Sequence, residues 1–189
     1  MLGDAIVVQQ QNRIQPLHRF LADGQSHQQP AVHIRQRIHL ADGSRTGEHD
    51  AGMLSLAGAG TSAYGINPDM ALAVDVADTG DTPESNHMAV VLGGGPAIKV
   101  QDSGMVAHAG IKQLMVRRAE EAKLPYQLEV LTGGTTDAMA IQMVREGIPT
   151  GCLSIPCRYL HSPSEMVDYG DVQNSVKLLL VILGKPIEV

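Results

Sequence analysis

Hydrophobic and polar positions keep no settled period over the first fifty residues and a clear one afterwards. In the early part "HIRQRIHLADG" alternates for a few residues and "IQPLHRFLADG" matches one or two helical turns, so no packed core is expected there. From about Met53 the pattern sharpens. "GTSAYGINPD" predicts a helix end and a turn carrying Gly65 and Pro68, and "MALAVDVA" is a continuous apolar run of the kind buried on both faces of a sheet. "ADTGDTPESNH" reads as a polar loop, and "GGGPAIKVQDSG" as a Gly-rich turn leading into a short strand. "AHAGIKQLMVRRAEEAKL" sets Ile111, Leu114, Met115, Ala119 and Ala122 on one stripe and predicts a surface helix. "YQLEVLTGG" alternates as a strand. "DAMAIQMVREG" predicts a helix with Asp137 as its N-cap, stopping at Gly147 before Pro149. "TGCLSIPC" is a second buried strand. Asp171 is the expected cap of a last helix, "VQNSVKLLLVILG", with Val172, Val176, Leu179, Leu180 and Leu183 as its apolar face.

Strands alternating with helices predict an α/β layer fold with a largely parallel sheet, in which the loops beyond the strand C-termini carry the chemistry. The length of 189 residues, 43% hydrophobic and 18% charged, fits one globular domain. A formal charge of -6 with no basic run argues against nucleic acid or an anionic membrane as partner and favours small molecules or peptides. The apolar run Leu178 to Leu183 is too short to span a bilayer, and "MLGDAIVVQQQ" lacks the pattern of a signal peptide, so a cytoplasmic location is expected. Cys152 and Cys157, five apart on a strand, point to opposite faces; two small buried hydrophobes are expected, not a disulfide. The first fifty residues hold five of the eight histidines (His18, His27, His33, His39, His49), eight glutamines, five arginines and no lysine. None of those histidines stands in an HxxxH or HxH arrangement beside an acid, so they read as solvated side chains and not as metal ligands.

Three loops at expected strand ends carry groups suited to chemistry. Asp75, with Asp78 and Asp81, leaves an apolar strand, and a buried carboxylate there needs a cation, N–H donors or water. A strand-end aspartate capping the next loop is as good a reading on spacing alone. "GGTTD", Gly133 to Asp137, permits close backbone approach to a ligand, although a loop with an N-cap looks the same. His161 stands beside Arg158 and Tyr159, and a lone histidine is more often a structural hydrogen-bonding residue than a ligand.

Together the segments "GTSAYGINPDMALAVDVADTGDTP", "GGGPAIKVQDSGMVAH" and "PYQLEVLTGGTTDAMAIQMVREGIPTGCLSIPCRYLHSPSEMVDYGDVQNSVKLLL" resemble the C-terminal part of the M42 metallo-aminopeptidases, the glutamyl or deblocking aminopeptidases also labelled cellulase M. The resemblance runs in order from about Leu56 onward. It implies a three-layer α/β/α peptidase domain, here incomplete, while the composition and weak period of the N-terminal segment predict poor order there. It also implies two divalent metals, zinc or cobalt, peptide substrates cut from the N-terminus, and homo-oligomers. The implied ligands are a His, a bridging Asp, a Glu, an Asp and a last His. By motif, Asp75 and His161 match the last two, on different metals. Gly133, Gly134, Thr136, Asp137, Arg158 and Tyr159 are the expected substrate-binding residues. In the family the paired cations would polarise the peptide carbonyl and acidify a bridging water, and a glutamate would move its proton.

The chain departs from that pattern where the family carries a Glu-Glu pair, general base and ligand, just before a "GLRGA"-like segment. Here the segment is "SLAGAG", and the glutamate places fall on Gly52 and Met53. Nothing in residues 1–54 resembles the region that carries the first His and the bridging Asp. With two ligands of five and no base, weak partial metal binding and no activity are expected of this chain. The break near Met53 divides the chain into an atypical segment, 1–54, from a shifted reading frame or a disordered region, and a peptidase part, 55–189. The alternatives are a non-catalytic assembly module or a gene fragment without function.

Overall fold

The computed structural model describes residues 5–9, 38–42, 51–83, 85 and 87–187. In chain order the elements are β1 (Ala5–Gln9), β2 (Ile38–Asp42), α1 (Ala51–Ile66), β3 (Met70–Asp78), β4 (Ala97–Gln101), α2 (Ala109–Glu121), β5 (Gln127–Val130), α3 (Asp137–Gln142), β6 (Thr150–Arg158), β7 (Met166–Val167) and α4 (Tyr169–Leu183). The strands make one sheet in the order β2-β1-β3-β6-β4-β5, with β7 pairing against β6.

The two apolar runs form its centre. β3 and β6 pair in parallel from Ala71 opposite Thr150 to Asp78 opposite Cys157, and both are buried along most of their length. Leu72, Val74, Leu153 and Ile98 point to one face, where Ile111, Leu114 and Met115 of α2 and Leu178, Leu179 and Ile182 of α4 cover them. Each such side chain, fully buried, contributes about 1.5–3 kcal/mol. α2 comes so close that a Cβ on Gly151 would stand 2.6 Å from Ile111, so a small residue is needed there. On the other face Ala71 packs with Ala59 and Ala63 of α1 and Ile141 of α3. Ala73 and Cys152 pack there with Ala138 of α3 and with Met105 and Ala107. Helices on both faces of a sheet give the three α/β/α layers that the alternation predicts.

Several elements differ from the sequence-based expectations. The sheet is mixed: β4 pairs antiparallel with β6, so β4 and β5 run opposite to the other four strands on the path. Ala5–Gln9 and Ile38–Asp42, in the part where no packed core is expected, form parallel strands that extend the sheet beyond β3. Of the early histidines, His39 lies on β2, while His18, His27, His33 and His49 lie outside the described residues. α1 runs continuously across the compositional break at Met53. The N-cap of α3 is Thr136, with Asp137 in the first turn, and the helix closes after six residues. α4 is capped by Asp168, whose carboxylate accepts from the N–H groups of Gly170 and Asp171. Its buried face is Asp171, Ser175, Leu178, Leu179 and Ile182, with Leu180 exposed. The stripe is rotated because the buried polar residues Asp171 and Ser175 belong to it and hydropathy alone assigns them to solvent. Cys152 and Cys157 are free and buried. No helix of the described residues is long and apolar enough to cross a membrane.

Candidate functional site

Asp75 sits three residues before the end of β3, on the sheet face covered by α1 and α3, opposite Ser154 of β6. One of its oxygens accepts the Val76 N–H at 2.8 Å. Burial pushes the carboxyl up to about 7; Asp137 and Glu129 push the same way, while the Val76 N–H and the Lys99 charge oppose them. A strand this apolar therefore carries a carboxyl whose ionisation is opposed first by burial and then by the neighbouring acids.

Beyond the ends of β3 and β6 lie the other two groups of the first and third loops. Arg158 closes β6 and grips Asp81 with two bonds, Nε to Oδ1 at 3.0 Å and Nη2 to Oδ2 at 2.7 Å. The Leu92 N–H adds a bond at 3.0 Å. This bidentate guanidinium, ahead of the smaller contributions, holds the Asp81 carboxyl well below the usual carboxylate range. Arg158 therefore fastens the loop after β3 to the end of β6. Tyr159 and His161 follow with φ of 58 and 62 degrees, the left-handed region that side chains larger than glycine seldom occupy. The turn is held by the Ser162 N–H on the Tyr159 carbonyl at 3.1 Å and by the His161 N–H on Glu165 Oε1 at 2.8 Å. The His161 side chain is exposed. Between the two loops opens a cleft of about 260 Å³ lined by Asp78, Thr79, Thr82, Ser85, Met88, Tyr159 and Leu160.

The second loop does not share this rim. Because β5 runs against β6, Gly133 and Gly134 leave the sheet at the end where β3 and β6 begin. This corrects the expectation that all three loops stand together at the C-terminal ends of parallel strands. Gly134 has φ of 87 degrees, and its carbonyl accepts from both the N–H and the hydroxyl of Ser103. Thr136 and Asp137 are buried, and α3 carries the Asp137 charge beneath the sheet to the neighbourhood of Asp75. The loop reaches the site from below, through charge, and not across the rim.

That face also holds a group with no counterpart among the sequence candidates. Lys99 and Glu129, both fully buried, form an ion pair at 2.5 Å between β4 and β5, with Asp102 at 4.0 Å from the same ammonium. Burial alone would lower the Lys99 ammonium, and the negative groups around it, Glu129 and Asp102 among them, hold it above the usual lysine value. Asp102 in turn accepts from the Thr135 hydroxyl at 3.0 Å and from the N–H groups of Gly104 and Met105 at 2.8 Å each. The signal was present in "AIKVQ" and "QLEV", single charges at facing positions of two short strands, but facing positions are known only once the strands pair. Asp171, expected only as a helix cap, is a second inward charge: its two oxygens accept the N–H groups of Gly93 and Gly95 at 2.7 Å each, tying the Gly-rich turn to α4. Cys152, within reach of the Lys99 charge, has its thiol pushed up to about 12 by burial, which leaves it unreactive.

A closed metal centre needs three or four converging protein ligands. Among the described residues no three His, Cys, Asp or Glu side chains are grouped to hold an ion. Asp75 and His161 are two donors at one sheet rim and do not by themselves make up a dimetal site. Gly52 and Met53 lie on the first turn of α1, and neither type supplies a carboxylate.

A mixed sheet between helix layers, with its candidate groups toward the ends of two adjacent central strands, has the form of an α/β/α peptidase domain. The chain belongs to the M42 glutamyl aminopeptidase family, whose model matches residues 54–178. A relative from Acetivibrio thermocellus, provisionally named an aminopeptidase, is 49% identical over 127 residues, covering 67% of this chain and 38% of the relative. An aminopeptidase structure from the archaeon Desulfurococcus kamchatkensis is similar with a TM-score of 0.68 and 43% identity, over 76% of this chain and 40% of that one. The TET1 peptidase of Pyrococcus horikoshii, described as assembling into a tetrahedron or a large octahedral shell, matches with a TM-score of 0.60 and 30% identity, over 71% of this chain and 38% of that one. The chain thus spans about two fifths of the length of these proteins.

Proposed function

We propose that residues 55–189 are the C-terminal part of a metal-dependent aminopeptidase domain, and that 1–54, although two of its strands join the sheet, lacks the remaining machinery. The observation that carries this is the family match over 54–178, within which Asp75 and His161 fall at the ends of adjacent parallel strands. In a complete site Asp75 and His161 would each bind one of two divalent ions, zinc or cobalt, which would activate water for peptide hydrolysis. Gly133, Gly134, Thr136, Asp137, Arg158 and Tyr159 would shape the peptide's seat, Arg158 by holding Asp81 and Thr136 and Asp137 from beneath the sheet. Two ligands without a general base leave this chain inactive. Pure protein is expected to release no chromophore from aminoacyl-p-nitroanilides with added cobalt or zinc. Turnover matching a full-length relative would overturn the reading.

A second reading, a non-catalytic module that associates with copies of itself, is favoured by the exposed Leu128 and Val130 on β5, an edge strand of the described sheet. Sedimentation of the intact chain tests it: a discrete oligomer supports the module, and a monomer sinks it.

A further inference from the structure

The cleft between the loop after β3 and the turn after β6 opens beside the proposed seat, and its walls are fixed. A Cβ on Gly80 would stand 2.4 Å from the Met88 carbonyl oxygen, so the two sides of the loop touch as backbone. The Gly80 N–H bonds the Val90 carbonyl at 2.8 Å, and the Ser85 hydroxyl bonds the Thr82 carbonyl at 2.8 Å. The volume of about 260 Å³ is below the roughly 300–1,000 Å³ of pockets for drug-sized ligands, and so suits one side chain better than a peptide.

The chemistry of the lining is uneven in sign. Asp78 is exposed, and among the described residues no lysine or arginine pairs with it. Arg158, the cation next to the cleft, is occupied by Asp81 and presents no free positive charge. The Tyr159 ring, 51% exposed, stands at the mouth in its left-handed turn. Thr82 and Ser85 offer hydroxyl oxygens, while Met88 and Leu160 offer apolar surface and Thr79 is buried. A carboxylate and an aromatic face attract an ammonium or guanidinium, and the thioether and leucine suit the methylene stem that carries it.

We propose that this cleft receives the side chain of the substrate's first residue and selects a cationic one through Asp78 and Tyr159. The inference rests on the aminopeptidase reading for the identity of the occupant, and binding tests it without turnover. The full chain is titrated with L-lysinamide and L-norleucinamide, which differ by the terminal ammonium, following the backbone amide NMR signals of Thr79, Thr82 and Met88. Lysinamide is expected to bind about tenfold more tightly and to move these signals, and Asp78→Asn is expected to erase the difference. Asp78 is exposed, so the variant should unfold at the wild-type temperature. Equal affinity for the two amides, a preference that survives Asp78→Asn, or no binding of either overturns the inference. Nα-acetyl-lysinamide separates the two readings. If it binds as tightly as lysinamide, the charge selection holds while recognition of a free N-terminus fails. Hydrolytic turnover by this chain would overturn its proposed incompleteness and leave the comparison of amides standing.

Discussion

Asp81 and Arg158 stand 77 positions apart and meet in a bidentate pair, and their consequence is a pH dependence. The folded state holds the Asp81 carboxyl below its unfolded value, so the ionised form is favoured by folding. Stability from this pair is fully present above the unfolded pKa of about 3.9 and is lost as pH falls toward the lower folded value. Asp81→Asn should therefore cost on the order of 1 kcal/mol near pH 7, and the gap between variant and wild type should narrow from about pH 4 downward. Thermal unfolding across that range checks it, and a gap independent of pH would refute the assignment. At this scale the sequence exposes Asp75 and His161 through their motifs. It hides the partner of Arg158, because spacing in the chain carries no information about which loop a guanidinium will face.

Secondary-structure elements are joined by charges that pattern reading assigns to solvent. Lys99 and Glu129 staple β4 to β5 with no exposure to water, and Asp102 extends the network to Thr135 in the loop after β5. Removing one member of a buried pair leaves the other uncompensated. Lys99→Met should destabilise the protein by about 3–5 kcal/mol, whereas Lys99→Met with Glu129→Leu should recover much of that loss. Chemical denaturation of the three proteins measures it, and a double variant no better than the single one would contradict the staple. The same logic explains the rotated face of α4: Asp171 is buried because it satisfies two backbone N–H groups of the Gly93 to Gly95 turn. The strands β3, β4, β5 and β6, the two long helices after the break and the turns between them were legible from period and turn residues. The face of α2 was legible too, with Ile111, Leu114, Met115 and Ala119 buried, but that of β5 was not, since Leu128 and Val130 point outward while Glu129 points inward on the same strand.

For the whole molecule, the antiparallel step between β6 and β4 decides which loops share a rim. The parallel pairing of β3 and β6 groups Asp75, Asp78, Asp81, Arg158, Tyr159 and His161, and the antiparallel step sends Gly133 and Gly134 to the other end. β5 is an edge strand of the described sheet, with Leu128 and Val130 about half exposed, at 49% and 52%. If copies associate through that edge, Leu128→Lys with Val130→Lys should convert the oligomer seen in sedimentation to monomer, because charge on an edge strand opposes pairing. An oligomer that persists in this variant would place the contact elsewhere. The sequence by itself determined the layered α/β architecture and the family motifs, both of which depend on local period and on residue type in order along the chain. Only the tertiary structure decided strand direction, the inward charges and the cleft, because each depends on contacts between segments that lie 30 to 78 residues apart in the chain.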